Sequence, residues 1–212
     1  SLRLPGLQQK LMEAVIGTGK PTVVIIEAGS AVDLNYASEH ASAILDAWYP
    51  GARGGKAIAD ILFGACAPSG KLPVTFYRTL DGMPEYTDYT MRNRTYRYAD
   101  DSQVLYPFGF GLSYGTPSVE SAEVCGEGGR ITVRAAVTAD ADMENVLQVY
   151  VKDLDSPYAV RNRSLCAFRR VVLRKGERQE VELEVDRRAL LSVDEEGEEK
   201  LMGRSDFKGV SP

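Results

Sequence analysis

The sequence predicts an α/β layer followed by an all-β sandwich, joined by an irregular aromatic segment. Three observations carry this. Residues 5–64 alternate helical and strand periodicity around a β-branched run, Thr22–Ile26. From about Ser118 the pattern changes to short stretches of period two, with turn signals roughly every ten residues. Between them, Tyr77–Tyr114 holds seven of the eleven tyrosines and four arginines, broken by Pro and Gly.

In the first part, Leu7, Leu11, Ala14 and Val15 recur at helical spacing and Gly17 and Gly19 close the helix. Thr22–Ile26 reads as a strand buried on both faces, as in parallel sheets, and Ala43–Trp48 as a second such strand. Tyr49–Gly55 is a loop, Lys56–Phe63 a short amphipathic helix stopped by Gly64, and Leu72–Phe76 a last short strand with Pro73 at an edge or entry position. Too few strands are present for a complete layer, so this is a partial α/β sandwich layer. In the second part, Ile131, Val133, Ala135 and Val137 share one face, Val146–Val151 and Leu165–Leu173 are apolar runs, and Glu180–Val185 alternates strictly with Val181, Leu183 and Val185 inward. Asp194–Glu199 is a loop or hairpin tip, and Asp206–Pro212 offers one poor strand at most. The expected division is 1–76, the connector 77–114, and 115–212.

With 212 residues, 44% of them apolar, the chain can bury a core. Its formal charge of −5 disfavours nucleic acid and anionic membranes as partners. No apolar run approaches the ~18 residues of a spanning helix. The start carries no hydrophobic leader, and its abrupt opening reads as cut from a longer polypeptide. Cys66, Cys125 and Cys166 are scattered and lack CxxC spacing, which suits buried thiols of a reduced, cytoplasmic-type protein more than a disulfide frame or zinc site. A single histidine, His40, removes most Ser-His-Asp and Cys-His chemistry and any multi-His metal site.

Glu27 follows the first strand, at the end of an open α/β sheet where ligands bind. It has no identifiable partner carboxylate, and neither Asp33 nor Asp46 supplies one, so a hydrogen-bonded loop role is the simpler reading. Gly51–Gly55 lacks a phosphate-loop pattern and reads as a tight turn into a helix. The Tyr/Arg connector is the best functional feature. Sugars stack their CH faces on aromatic rings, and the arginine fork donates to hydroxyls. Tyr86, Tyr89, Arg94, Tyr96 and Arg97 are the candidates for one wall of such a site. That these residues only cement two domains together is the competing reading.

The ordered series Leu4-Pro-Gly-Leu-Gln8, Thr18-Gly-Lys-Pro21, Ala47-Trp-Tyr-Pro-Gly51, Ala57–Gly64, Pro68–Phe76, Arg94-Thr-Tyr-Arg-Tyr98 and Tyr106–Tyr114 resembles the C-terminal part of glycoside hydrolase family 3, the β-glucosidase and β-xylosidase family. Asp88–Met91 and Arg94–Tyr98 lean towards its β-xylosidase-like branch. The resemblance implies the second half of an α/β sandwich domain followed by a fibronectin type III-like (immunoglobulin-like) sandwich, behind a TIM-barrel domain of the same polypeptide. It implies retaining hydrolysis of terminal β-D-glucosyl or β-D-xylosyl residues by two carboxyl groups ~5–5.5 Å apart. The family's nucleophile is an Asp on the barrel and its acid/base is often a Glu in the first half of the sandwich. No catalytic residue is therefore expected here, and no cofactor or metal is implied. A glycoside or oligosaccharide would be the substrate, with Arg94, Tyr96, Arg97 and Tyr89 as its contacts from this chain. Glu27-Ala28 stands where many members have small or amide residues, and the strand after Asp206 looks shortened. A layer cut in mid-sheet should leave an edge and apolar surface open, favouring self-association or incomplete order near residues 1–20. The rival reading is a non-catalytic carbohydrate- or protein-binding module.

Overall fold

The computed structural model describes residues 2–127, 130–201, 203 and 205–210. The chain forms two compact units: Ser1–Cys66 with Leu72–Thr95 and Ala99–Phe108, and Ala67–Lys71 with Tyr96–Tyr98 and Gly109–Pro212. The first is α/β and the second an all-β sandwich, as the periodicity requires.

In the first unit, helix α1 (Gln8–Ile16) leads to strand β1 (Val23–Ile26), helix α2 (Asn35–His40), strand β2 (Ala43–Asp46) and helix α3 (Gly54–Leu62). β1 and β2 pair in parallel, Val23 opposite Ala43 through Ile26 opposite Asp46. The core gathers Ile26, Leu34 and Phe76, with Val24, Ile44, Leu105 and Tyr106 packed against them.

Four expectations need correction. The stripe of α1 read as its inner face points outward: Leu7 is 72% and Leu11 64% exposed, and Val15 is exposed too, while Ile16 is the buried residue. Periodicity shows that a helix has an apolar stripe, but not which surface covers it. β1 is buried on one face only, with Val23 and Ile25 exposed, because no further layer covers that side among the described residues. The strand expected over 72–76 is displaced. β3 (Phe76–Tyr77) pairs antiparallel with β4 (Val104–Tyr106), which lies inside the connector, and so does not extend the parallel layer. Pro73 has no N–H to give a ladder, which delays pairing until Phe76. Helix α3 also starts earlier than expected, at Gly54, whose N–H bonds Gly51 O at 2.8 Å. Gly64, at φ +76°, stops it. Connector residues Thr95–Tyr98 form a one-turn helix, α4.

The second unit packs two three-stranded sheets. Strands β5 (Pro117–Glu127), β6 (Arg130–Ala139) and β9 (Gln179–Val185) make one, in the order β5-β6-β9. Strands β7 (Met143–Asp153), β8 (Ser164–Leu173) and β12 (Ser205–Val210) make the other, in the order β12-β7-β8. All the pairings are antiparallel. The core lies between them: Val133 and Val137 from β6, Leu147, Val149 and Val151 from β7, Leu173 from β8, and Val181, Leu183 and Val185 from β9. Of the expected inward sets, Val133, Ala135 and Val137 of β6 and Val181, Leu183 and Val185 of β9 are buried; Ile131 is only half-buried, and Ala136 on the other face of β6 is buried too. β5 was not legible, since Ser, Glu and Gly fill most of its positions; it forms because β6 supplies a full antiparallel ladder. The end of the chain is likewise more regular than expected. Ser205–Val210 pairs along β7, and Phe207 packs against the core, although Ser211 and Pro212 lie outside the described residues. The acidic tract is the tip of a hairpin between β10 (Leu191–Val193) and β11 (Glu199–Leu201), where Asp194 accepts from Glu196 and Glu198 N–H and pairs with Lys200 at 2.6 Å.

The thiols differ sharply. Cys66 is exposed, whereas Cys166 is buried and donates to Val149 O at 3.2 Å. Burial pushes the Cys166 thiol up to about 11, so at pH 8 only about one molecule in a thousand carries the reactive thiolate. In a timed thiol-modification experiment on folded protein, Cys66 should react at least ~100-fold faster than Cys166. Equal rates would show that the β7–β8 core opens freely.

Candidate functional site

The connector's arginine and tyrosines are built into two different local frames. In the first unit, Arg94 Nη2 donates to Pro84 O (3.2 Å) and to Glu85 O (2.5 Å). The guanidinium thus clamps the backbone just ahead of Tyr86 and Tyr89, which are 86% and 82% exposed. Asp88 shapes the turn around Tyr89 by accepting from Thr90 N–H at 2.8 Å. That bond, with a second from the Thr90 hydroxyl, holds its carboxyl below the usual range. Asn93 Nδ2 donates to Gly82 O and Tyr77 OH to Asn93 O, tying down the far side. Met91, Asn93 and Thr95 all have left-handed φ, between +58° and +61°. Three such non-glycine residues within five positions mark a loop held in a strained shape by its surroundings, as recognition loops often are.

In the second unit, Tyr96 and Arg97 are packing residues. Tyr96 OH accepts from Leu165 N–H at 3.1 Å and its carbonyl from Asn162 Nδ2 at 2.9 Å. Its ring meets Tyr150 edge-on with centroids 6.3 Å apart, and the Arg97 guanidinium lies 5.9 Å above it. Asn162 N–H donates to Arg97 O. Tyr150 OH donates to Gln148 Oε1 at 2.5 Å, and Gln148 Nε2 to Gly109 O at 3.2 Å. Burial, then Tyr96, drives the Tyr150 phenol far above its ordinary range, so it stays a neutral donor. Of the four expected contact residues, Tyr89 and Arg94 therefore share one frame, with Tyr89 displayed and Arg94 holding the display. Tyr96 and Arg97 share the other. The signal that separates these roles is absent from composition: only the hydrogen-bond partners reveal it.

The remaining candidates fall into place locally. Glu27 is exposed beyond β1. Asp33 accepts from Asn35 N–H and Nδ2 at the start of α2. Asp46 ends β2, and its Oδ1 accepts from Trp48 N–H at 3.1 Å, holding Trp48 at φ +53°. Its Oδ2 is buried with no hydrogen-bond partner among the described residues, and burial raises the carboxyl above the usual range, offset in part by the Trp48 bond. His40 is a surface residue against Tyr36 and Glu39. Among the described residues no three His, Cys, Asp or Glu side chains gather as a metal site, and no helix is long and apolar enough to cross a membrane.

Among the described residues the chain combines a small α/β layer with a two-sheet sandwich and displays an aromatic loop from the segment joining them in sequence. Comparison with known proteins assigns the family. Residues 1–114 match the glycosyl hydrolase family 3 C-terminal domain, and residues 145–208 the fibronectin type III-like domain. The chain belongs to glycosyl hydrolase family 3. It is 38% identical over 194 residues to a xylan 1,4-β-xylosidase of Xylanibacter ruminicola, covering 90% of this chain and 22% of that protein. It is 35% identical over 207 residues to a periplasmic β-glucosidase of Salmonella typhimurium, covering 90% and 27%. Among solved structures, a β-glucosidase from Streptomyces venezuelae with D-glucose bound superposes with a TM-score of 0.86 at 30% identity, covering 99% of this chain and 30% of that one. The chain thus spans about a quarter of the length of the curated relatives it matches.

Proposed function

We propose that the chain acts as the C-terminal part of an exo-acting retaining β-glycosidase that removes terminal β-D-xylosyl or β-D-glucosyl residues. In this reading residues 1–76 complete an α/β sandwich, 77–114 connect, and 115–212 form the fibronectin type III-like domain. Together they support a catalytic barrel elsewhere in the same polypeptide. The observation that carries this is the near end-to-end match to two β-xylosidases and a β-glucosidase, each some four times as long. The test is hydrolysis of aryl β-D-xyloside and β-D-glucoside by the longer protein that carries this chain. Cleavage with retention supports the reading, and the preferred glycoside identifies the branch. Silence on both substrates would shift the weight to a non-catalytic carbohydrate- or protein-binding module.

The displayed loop is the proposed contact with substrate. Tyr89, held out by the Arg94 clamp, supplies a stacking face, and Tyr96 and Arg97 anchor the helix α4 that follows through Asn162 and Leu165. In the longer protein Tyr89→Ala should raise KM about 5- to 30-fold with little change in kcat, the loss expected for one aromatic contact of about 1–2 kcal/mol. Unchanged steady-state constants would remove the loop from the site.

Expressed by itself, the chain should self-associate. Leu7 ahead of α1, Leu11 and Val15 on it, and Val23 and Ile25 on β1 are exposed apolar residues in one small unit, and among the described residues β1 and β2 pair only with each other. Light scattering should show mass rising with concentration, and Leu11→Glu should lower it. A strictly monomeric chain at ~100 μM would contradict this.

A further inference from the structure

The chain passes from the α/β unit to the sandwich at the Thr95–Tyr96 bond, directly after the displayed loop. Met91, Asn93 and Thr95 lead up to that bond with left-handed φ. Non-glycine residues stay in that region only where their surroundings hold them there. Upstream of Thr95 the hold is local to the α/β unit. Arg94 Nη2 donates to Pro84 O and Glu85 O, and Asn93 Nδ2 donates to Gly82 O. Downstream comes α4, one turn closed by Ala99 N–H on Thr95 O at 2.8 Å. So short a helix has almost no stability of its own, because nucleation fixes several residues for one bond. The carbonyls of Tyr96 and Arg97 are among the orphan acceptors of its last turn. Asn162 takes both. Its Nδ2 donates to Tyr96 O at 2.9 Å and its backbone N–H to Arg97 O at 2.8 Å. Three residues on, Leu165 N–H donates to Tyr96 OH at 3.1 Å. β8 slips its register at this point: Val149 lies opposite Ala167 but Tyr150 opposite Leu165, with Cys166 the extra residue of a bulge. Asn162 and Leu165 fall in the fibronectin type III-like match, whereas the loop falls in the other.

We propose that Asn162 is a positioning residue for the Tyr86–Asn93 loop. By capping α4 from the sandwich it fixes the chain just past Thr95, which keeps Thr95 and Asn93 left-handed and Tyr89 presented. Without the clasp, the strained residues can relax to ordinary backbone and the loop loses its single shape. The amide suits this task because the group facing the Tyr96 carbonyl must be a donor, and a carboxylate there would set acceptor against acceptor. The sandwich thereby governs a loop that it does not itself contain. The consequence for substrate affinity rests on the reading of Tyr89 as a substrate contact; the hold on the loop does not.

The experiment is residue-resolved amide hydrogen exchange of the 212-residue chain. The N–H groups of Thr90 and Arg94 are bonded inside the loop, to Asp88 Oδ1 and Met91 O. In Asn162→Ala they should exchange at least ~10-fold faster, the factor carried by about one lost hydrogen bond. Val137 and Leu183, in the sheet away from the clasp, should change by less than ~2-fold. Tyr96→Phe keeps the ring, removes only the acceptor of Leu165 N–H, and should show the same pattern. Unchanged loop exchange in Asn162→Ala would overturn the assignment. So would loop exchange that rises in both variants only in step with Val137 and Leu183, the mark of a residue that merely stabilises the sandwich. In the longer protein Asn162→Ala should raise KM at least ~3-fold with kcat within ~2-fold, and should add nothing to Tyr89→Ala, because both act through one ring. Fully additive effects on KM would overturn the route through Tyr89. A KM indifferent to Tyr89→Ala, with loop exchange still faster in Asn162→Ala, would remove the loop from the substrate site and leave the clasp standing, so the two readings fail separately.

Discussion

The 212-residue chain alone should release aglycone from aryl β-xylosides or β-glucosides at least ~10⁴-fold more slowly than the longer protein proposed to carry it, a conservative share of the ~10⁶-fold or more by which enzymes exceed uncatalysed reactions. Retaining hydrolysis needs two carboxyl groups about 5–5.5 Å apart, one of them kept protonated. The α/β unit has one carboxyl raised above its range, Asp46, but its partner across the sheet is Ile26. Glu27, the carboxylate that follows the neighbouring strand, lies beyond β1 and is exposed. Others hold local structure: Asp33 the start of α2, Asp60 a pair with Lys56, and Glu13 a bond from Gln9. The decisive measurement is single-turnover and steady-state assay of both proteins at equal concentration. Comparable rates would place the chemistry within these residues, and Glu27→Gln and Asp46→Asn would then identify which carboxylate performs it.

The sandwich was legible because its strands obey one rule. In β6 and β9 the inward residues are apolar at every second position, and burial alone then fixes register. β5 escaped notice because an edge strand of Ser and Glu needs only a partner's ladder, which its own sequence does not announce. In the α/β unit the order of elements was readable but the orientation of α1 was not. Its residues form both an apolar stripe and a mixed face, and in the described residues it is Ile16, beside Gln9, Met12 and Glu13, that turns inward. The connector shows the same limit for function. Tyr89 and Tyr96 are identical in type and seven positions apart, yet one ring is open to solvent and the other accepts a backbone N–H and packs on Tyr150. Composition named the set; only partners assign the roles.

The motif Phe108-Gly-Phe-Gly-Leu112 bears on stability more than its composition suggests, and alanine at either glycine should be among the most damaging single changes in the sandwich unit. Gly109 sits at φ +83°, and a Cβ there would lie 2.3 Å from Gln148 Oε1 and 2.4 Å from Tyr150 OH. Neither neighbour can step aside cheaply. Both are buried, Gln148 is bonded to the Gly109 carbonyl itself, and the Tyr150 hydroxyl is bonded to Gln148. Left-handed backbone for alanine costs about 1–2 kcal/mol and overpacking a further ~1–3, so Gly109→Ala should lose about 3 kcal/mol. Gly111 has ordinary backbone but a harder neighbour: its Cβ would stand 2.2 Å from the carbonyl oxygen of Gly70. The same turn is tied by Lys71 Nζ, which donates to Gly111 O at 2.6 Å and whose burial lowers its ammonium below the usual range. Moving Gly70 would disturb that bond, so Gly111→Ala should cost at least ~2 kcal/mol. Gly126, in β5, is the internal control, since nothing lies within 4 Å of a Cβ built on it and alanine there should change stability by no more than ~0.5 kcal/mol. Urea unfolding followed by Tyr fluorescence would rank the three. If Gly109→Ala and Gly126→Ala unfold at the same midpoint, the Gly109–Gln148–Tyr150 contact does not hold this segment to the sandwich, and the conformation at φ +83° is not required.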